Sequence, residues 1–73
     1  MNFGQALEAL KDGKKVSRDG WNGKGMHVEL TKGVDFQFSE LLPFFVIKNI
    51  KNSFNTWVPS VSDILADDWC VVE

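Results

Sequence analysis

The chain has 73 residues, 44% of them apolar, and a formal net charge of −2 at neutral pH. That length admits one domain, and a fold this small buries only about 60% of its extended-chain surface, so it ordinarily needs a staple or a partner subunit. The single cysteine, Cys70, excludes an internal disulfide, the single histidine, His27, excludes a His/Cys metal cluster, and no apolar run approaches the roughly 18 residues that cross a bilayer.

The first predicted element is a helix. Asn2 is suited to its N-cap, Gln5 completes a capping box, and Phe3, Ala6, Leu7 and Leu10 form one apolar face. Asp12-Gly13 ends it, with Gly13 placed for the left-handed position after the last turn. Lys14 to Arg18 reads as a strand with Val16 inward, and a glycine-rich turn follows. Met26, Val28 and Leu30 then alternate with His27 and Glu29 as a half-buried strand. From Thr31 to Glu40 the alternation of Val34, Phe36 and Phe38 with Asp35 and Gln37 fits either a strand or an ordered loop, and Pro43 interrupts it. Phe44 to Lys48 is the most strand-like run, apolar enough to be central. Phe54 to Val58 follows as its hairpin partner, and Pro59 closes that strand. Ser60 offers a second N-cap with Asp63 three residues on, and Val61, Ile64 and Leu65 make a short apolar stripe. Trp69 to Val72 is a last strand. The order predicts an α+β fold: a small antiparallel sheet with an N-terminal helix and a short C-terminal helix, in a single domain over residues 1–73.

With disulfide and metal set aside, association is the remaining route to stability. Three tryptophans and six phenylalanines are a heavy aromatic load for so small a core, and part of that surface is expected to face another subunit. Through Lys32 the chain carries six basic and four acidic residues, and beyond it two basic and six acidic. A binder of the DNA or RNA backbone would be basic throughout, so nucleic-acid polymers are not expected partners. The polar helical start and the one free thiol point to a cytoplasmic protein with no membrane association.

The chemistry concentrates in Ser17-Arg18-Asp19-Gly20-Trp21-Asn22-Gly23-Lys24-Gly25. Arg18 and Lys24 suit phosphate, Trp21 suits a purine or ribose face, and Asn22 and the turn's amides supply directional bonds. The plainer alternative is a hairpin turn whose Trp21 plugs a small core. Ser60 and Asp63 have a capping role open to them and, as an alternative, bonds to ribose hydroxyls. Catalysis finds little support. His27 alternates with apolar neighbours and is expected at solvent or a subunit contact, with Glu29 on its face; Cys70 reads as a small buried hydrophobe. Asp67 and Asp68 are adjacent and diverge, and no phosphate loop, dinucleotide fingerprint or metal motif is present. The expectation is binding without turnover, with no cofactor and no metal.

Several runs together carry a resemblance. They are Asn2 to Leu10, Gly13-Lys14-Lys15-Val16, Arg18 to Lys24, Pro43 to Lys48, Trp57 to Ala66 and Asp67-Asp68-Trp69. The Gly-Trp-Asn-Gly-Lys turn combined with the Trp-x-Pro-Ser-x-x-Asp-x-Leu-Ala-x-Asp-Trp ending resembles small phage proteins that include the second class of Thoeris anti-defence proteins. Similarity is weakest between Thr31 and Leu42.

The resemblance implies a function. Thoeris bacteria answer infection with a TIR-domain enzyme that makes a cyclic ADP-ribose isomer, which activates an NAD-depleting effector. The phage proteins bind that messenger without degrading it and so act as sponges in the host bacterial cytoplasm. Family members assemble as homotetramers with ligand pockets at subunit interfaces, and some also hold cyclic di- or trinucleotides. On this reading the ligand-binding set is Arg18, Trp21, Asn22, Lys24, Trp57, Ser60 and Asp63. Trp21 stacks on the base, Arg18 or Lys24 meets the pyrophosphate, Ser60 and Asp63 address ribose hydroxyls, and Trp57 walls the pocket. The competing function is a protein-interaction or virion-associated module in which Trp21 and the phenylalanines form a partner surface.

Overall fold

The computed structural model describes residues 1–21, 25–32, 34–36 and 39–72, and in 34–36 and 39–41 the backbone only. The first helix, α1 (Phe3–Lys11), starts in a reciprocal cap: Asn2 Oδ1 accepts from the Gln5 amide and Gln5 Oε1 from the Asn2 amide, both at 2.9 Å. Two orphan donors of the first turn are thereby satisfied. Gly13 follows the helix with φ +87°, a conformation a side chain would strain, and its amide returns to the Leu10 carbonyl.

Among the described residues, seven strands follow α1: β1 (Lys15–Arg18), β2 (His27–Leu30), β3 (Val34–Phe36), β4 (Ser39–Leu41), β5 (Phe45–Lys48), β6 (Phe54–Thr56) and β7 (Trp69–Val72). The second helix, α2 (Val61–Leu65), lies between β6 and β7. Five strands form one antiparallel sheet in the order β6-β5-β2-β1-β7, while β3 and β4 pair as a separate hairpin in the β2–β5 connection. The segment read as strand or loop is thus a strand pair over its described residues. Phe45–Lys48 is interior to the sheet as expected, and β2 is the middle strand.

α1 packs on β1, β2 and β7 and touches α2, giving two layers. The core is small: Ala6, Ala9, Leu10, Val16, Val28 and Trp69, with Val16 and Val28 paired across β1 and β2 at 0% exposure. The N-terminal residue covers the outer edge of β7. Its ammonium donates to the Trp69 carbonyl at 2.8 Å and its carbonyl accepts from the Trp69 amide at 3.1 Å. An edge strand is otherwise open to pairing with another chain, and here the Trp69 position is closed.

Candidate ligand-binding site

The register of β1 against β7 sets Arg18 opposite Trp69, and from this pairing the site is built. Asp68, one residue before Trp69, therefore meets the end of β1. Its Oδ1 accepts from Arg18 Nε at 2.8 Å, its Oδ2 from the Gly20 amide at 3.0 Å, and its carbonyl from the Asp19 amide at 3.1 Å. The fork of Arg18 reaches a second carboxylate, Asp63 Oδ1, from Nη1 at 2.9 Å. Side chains with two planar donors suit such a bridge, since each carboxylate can take one edge of the guanidinium.

Asp63 also completes the cap of α2. Ser60 Oγ accepts from the Asp63 amide at 3.2 Å, and Asp63 Oδ2 accepts from the Ser60 amide at 3.0 Å. The capping role predicted for the pair is the one the structure shows. Burial pushes the Asp63 carboxyl up, but the Ser60 amide, the Arg18 guanidinium and the Ser60 hydroxyl outweigh it and hold the group below its ordinary 3.8. The Asp68 carboxyl is likewise lowered, chiefly by the bond from Arg18 and further by the Gly20 amide. Arg18 is raised in return, by its bonds to Asp68 and then Asp63.

Above this frame sits an aromatic cluster. Trp69 is 2% exposed and donates Nε1–H to the Asp63 carbonyl at 2.9 Å, a buried bond that ties β7 to α2. Trp21 and Trp57 are half-buried against it, with ring centroids 5.4 and 6.1 Å from Trp69 and 6.5 Å from each other. All three contacts are edge-to-face, the arrangement the ring quadrupoles favour. Phe45 extends the cluster from β5, 5.9 Å from Trp57. Trp21 is therefore packed on the core as the plainer reading of the turn expected, while part of its surface remains open.

Five of the seven predicted residues are thus joined through Trp69 and Asp63 into one cluster: Arg18, Trp21, Trp57, Ser60 and Asp63. Asn22 and Lys24 lie outside the described residues. Two members escaped the sequence reading. Asp68 and Trp69 appear in it as half of a diverging carboxylate pair, a strand start and part of the family motif, but not as site residues, and the β1–β7 register that brings them to Arg18 has no local signature.

His27 departs from expectation. It is 9% exposed instead of solvent-facing, with Nε2 3.0 Å from Glu29 Oε2, Nδ1 3.2 Å from the Gly25 carbonyl and Phe54 edge-on at 6.2 Å. Its position on β2 between two paired strands, under the Phe54 ring of β6, accounts for the burial. Cys70 is on β7, separated from His27 by β1, and its thiol donates to the Ser17 carbonyl at 3.5 Å. A shallow groove of about 350 Å³ lined by Gly13, Lys14, Lys15, Val71 and Val72 contains none of the predicted residues.

In α2 the buried residue is Asp63, while the short apolar stripe points out: Val61 is 73% exposed, Ile64 47% and Leu65 78%, with Val58 just before them at 84%. The Arg18 bridge explains the orientation, because turning the stripe inward would carry Asp63 away from the guanidinium.

Comparison with known proteins matches residues 1–72 to the Thoeris anti-defense 2-like domain. The chain belongs to that family. It is 43% identical over 84 aligned positions to Thoeris anti-defense 2 of Bacillus phage SP01, covering 99% of this chain and 94% of that protein. The alignment is longer than the 73 residues here, so the SP01 protein carries insertions relative to this one. Membership in the Thoeris anti-defense 2 family supports an anti-defence role, and it bears out the resemblance drawn from the Gly20–Lys24 turn and the Trp57–Trp69 ending. Among the described residues of this family member, no group of three His, Cys, Asp or Glu side chains is placed to hold a metal ion. No helix among them is long and apolar enough to cross a membrane.

Proposed function

We propose that this protein is a sponge that binds and sequesters a cyclic ADP-ribose isomer made by bacterial immune signalling, without cleaving it, and so blocks effector activation in the infected host's cytoplasm. The observation that carries the reading is the half-buried Trp21–Trp57 pair, braced edge-on against buried Trp69. Two large aromatic faces held rigid by a third give a stacking surface for an adenine base at little entropic cost on binding. Asn22 and Lys24, on the same turn, supply an edge-reading amide and a cation for the pyrophosphate. Ser60 and Asp63 border the site through the α2 cap, and cyclic di- or trinucleotides are further candidate ligands.

Assembly belongs to the same proposal. The stripe of Val58, Val61, Ile64 and Leu65 is the kind of exposed apolar surface that a subunit contact covers, and a homotetramer would place such contacts beside the tryptophans. That stripe also favours the second reading, a module that docks another protein and holds no small molecule.

Isothermal titration of the protein with cyclic ADP-ribose and its isomers separates the two. The sponge predicts saturable binding of at least one isomer. Absence of heat with every isomer, alongside a stable complex with a protein, would replace it with the interaction module.

A further inference from the structure

We infer that Asp68 is a positioning residue for Trp21, and that Arg18 belongs to the same clamp instead of contacting the ligand's phosphates. The inference rests on the reading of Trp21 as a ligand-facing side chain. Three consecutive residues of the β1 end bond to Asp68: Arg18 through Nε at 2.8 Å, Asp19 through its amide at 3.1 Å and Gly20 through its amide at 3.0 Å. The Trp21 amide then donates to the Arg18 carbonyl at 3.1 Å, so the indole's attachment point is fixed by the segment Asp68 holds. Gly20 is matched to this contact. A Cβ there would sit 3.0 Å from Asp68 Oδ2, closer than side-chain carbons normally approach an oxygen.

The same geometry argues against a phosphate on Arg18. Its Nε and Nη1 are occupied by two carboxylates, and the three groups together carry one net negative charge. An incoming pyrophosphate would have to displace a carboxylate or sit beside both, and either arrangement is electrostatically unfavourable. Asp68 and Arg18 act by holding the backbone from which Trp21 projects.

Asp68→Asn tests this, because the amide cannot accept from both Arg18 and Gly20. Gly20→Ala perturbs the same contact with every charge kept. Asn2→Ala lowers stability by uncapping α1 and leaves the clamp untouched. Affinity for the cyclic ADP-ribose isomer released by a Thoeris TIR-domain enzyme is expected to fall about 10- to 100-fold in the first two variants, and to be unchanged in the third. Unchanged affinity in folded Asp68→Asn would overturn the proposal. Tighter binding would overturn it in the opposite sense, since freeing Arg18 would then have helped it meet phosphate. Hydrogen exchange at the Asp19 and Gly20 amides reads the clamp with no ligand present. If the wild-type protein binds no isomer, the sponge reading fails and exchange decides the clamp alone. Faster exchange at those two amides in Asp68→Asn, but not in Asn2→Ala, supports the clamp, and equal exchange refutes it.

Discussion

Trp69→Phe is the most informative single change in the fold. The indole is 2% exposed, and its Nε1–H bond to the Asp63 carbonyl is buried. Phenylalanine keeps an aromatic ring against Phe3, Trp21 and Trp57 but removes the donor. Leaving a buried carbonyl without its partner costs about 1–3 kcal/mol. Loss of the second ring adds about 1 kcal/mol for the space left behind. The expected destabilisation is about 2–4 kcal/mol, against a total of about 4–11 kcal/mol for a chain of this length. Since each kcal/mol moves the midpoint of so small a domain by about 4–8 °C, the thermal transition should fall by at least about 8 °C. Far-UV circular dichroism on heating and in urea is the assay, because it does not depend on the fluorophore being removed. A fall of less than about 4 °C would show that the Trp69–Asp63 bond does not hold β7 to α2.

Three other outcomes follow from the same contacts. Asp63 and Asp68 have folded-state carboxyls below the ordinary 3.8, so their contribution to stability is present in full above that range and is lost as pH falls through the lowered values. Urea midpoints measured between pH 6 and pH 2 should drop steeply at the acid end, and less steeply in Asp68→Asn; identical profiles would remove Asp68 from the clamp. The proposed homotetramer is tested on the exposed α2 stripe: light scattering of the unsubstituted protein should give a mass well above the 8.2 kDa chain, and Leu65→Glu with Val61→Glu should lower it. A wild-type mass of one chain would remove the tetramer from the proposal, and an oligomer unmoved by both changes would take the stripe out of its contact. Trp21→Ala should weaken cyclic ADP-ribose isomer binding by about 1–3 kcal/mol if the indole stacks on the base. Trp21→Phe should recover part of that loss in calorimetry, and a folded Trp21→Ala protein with wild-type affinity would take the indole out of the site.

Both helices were legible because caps are local. Asn2 with Gln5 and Ser60 with Asp63 each fix their geometry within four residues, and both reciprocal caps are present. The interior strands were legible through their alternation and apolar runs. What could not be read is what depends on pairing between distant segments. Asp68 lies fifty residues from Arg18, and only the β1–β7 register makes them partners. The burial of His27 has the same origin, since Phe54 reaches it from β6, two strands away. The orientation of α2 shows a third limit. The spacing of Val61, Ile64 and Leu65 marks an apolar stripe but not which way it faces, and in the fold Asp63, bonded to Arg18 and Trp69, takes the inward side. Within the candidate site, the turn residues announced themselves by type, whereas the Trp69 brace beneath them is an ordinary apolar position until the sheet closes.

The proposed function is sequestration without turnover. It is tested most directly by mixing the protein with the messenger from a Thoeris TIR-domain enzyme, removing the protein by filtration, and heating the retained fraction to release what it held. Mass spectrometry should find the filtrate depleted and the released cyclic ADP-ribose isomer chemically intact, in proportion to the protein added. Release of a hydrolysed or linear product would make this protein an enzyme, and an undepleted filtrate would show that it holds no such messenger.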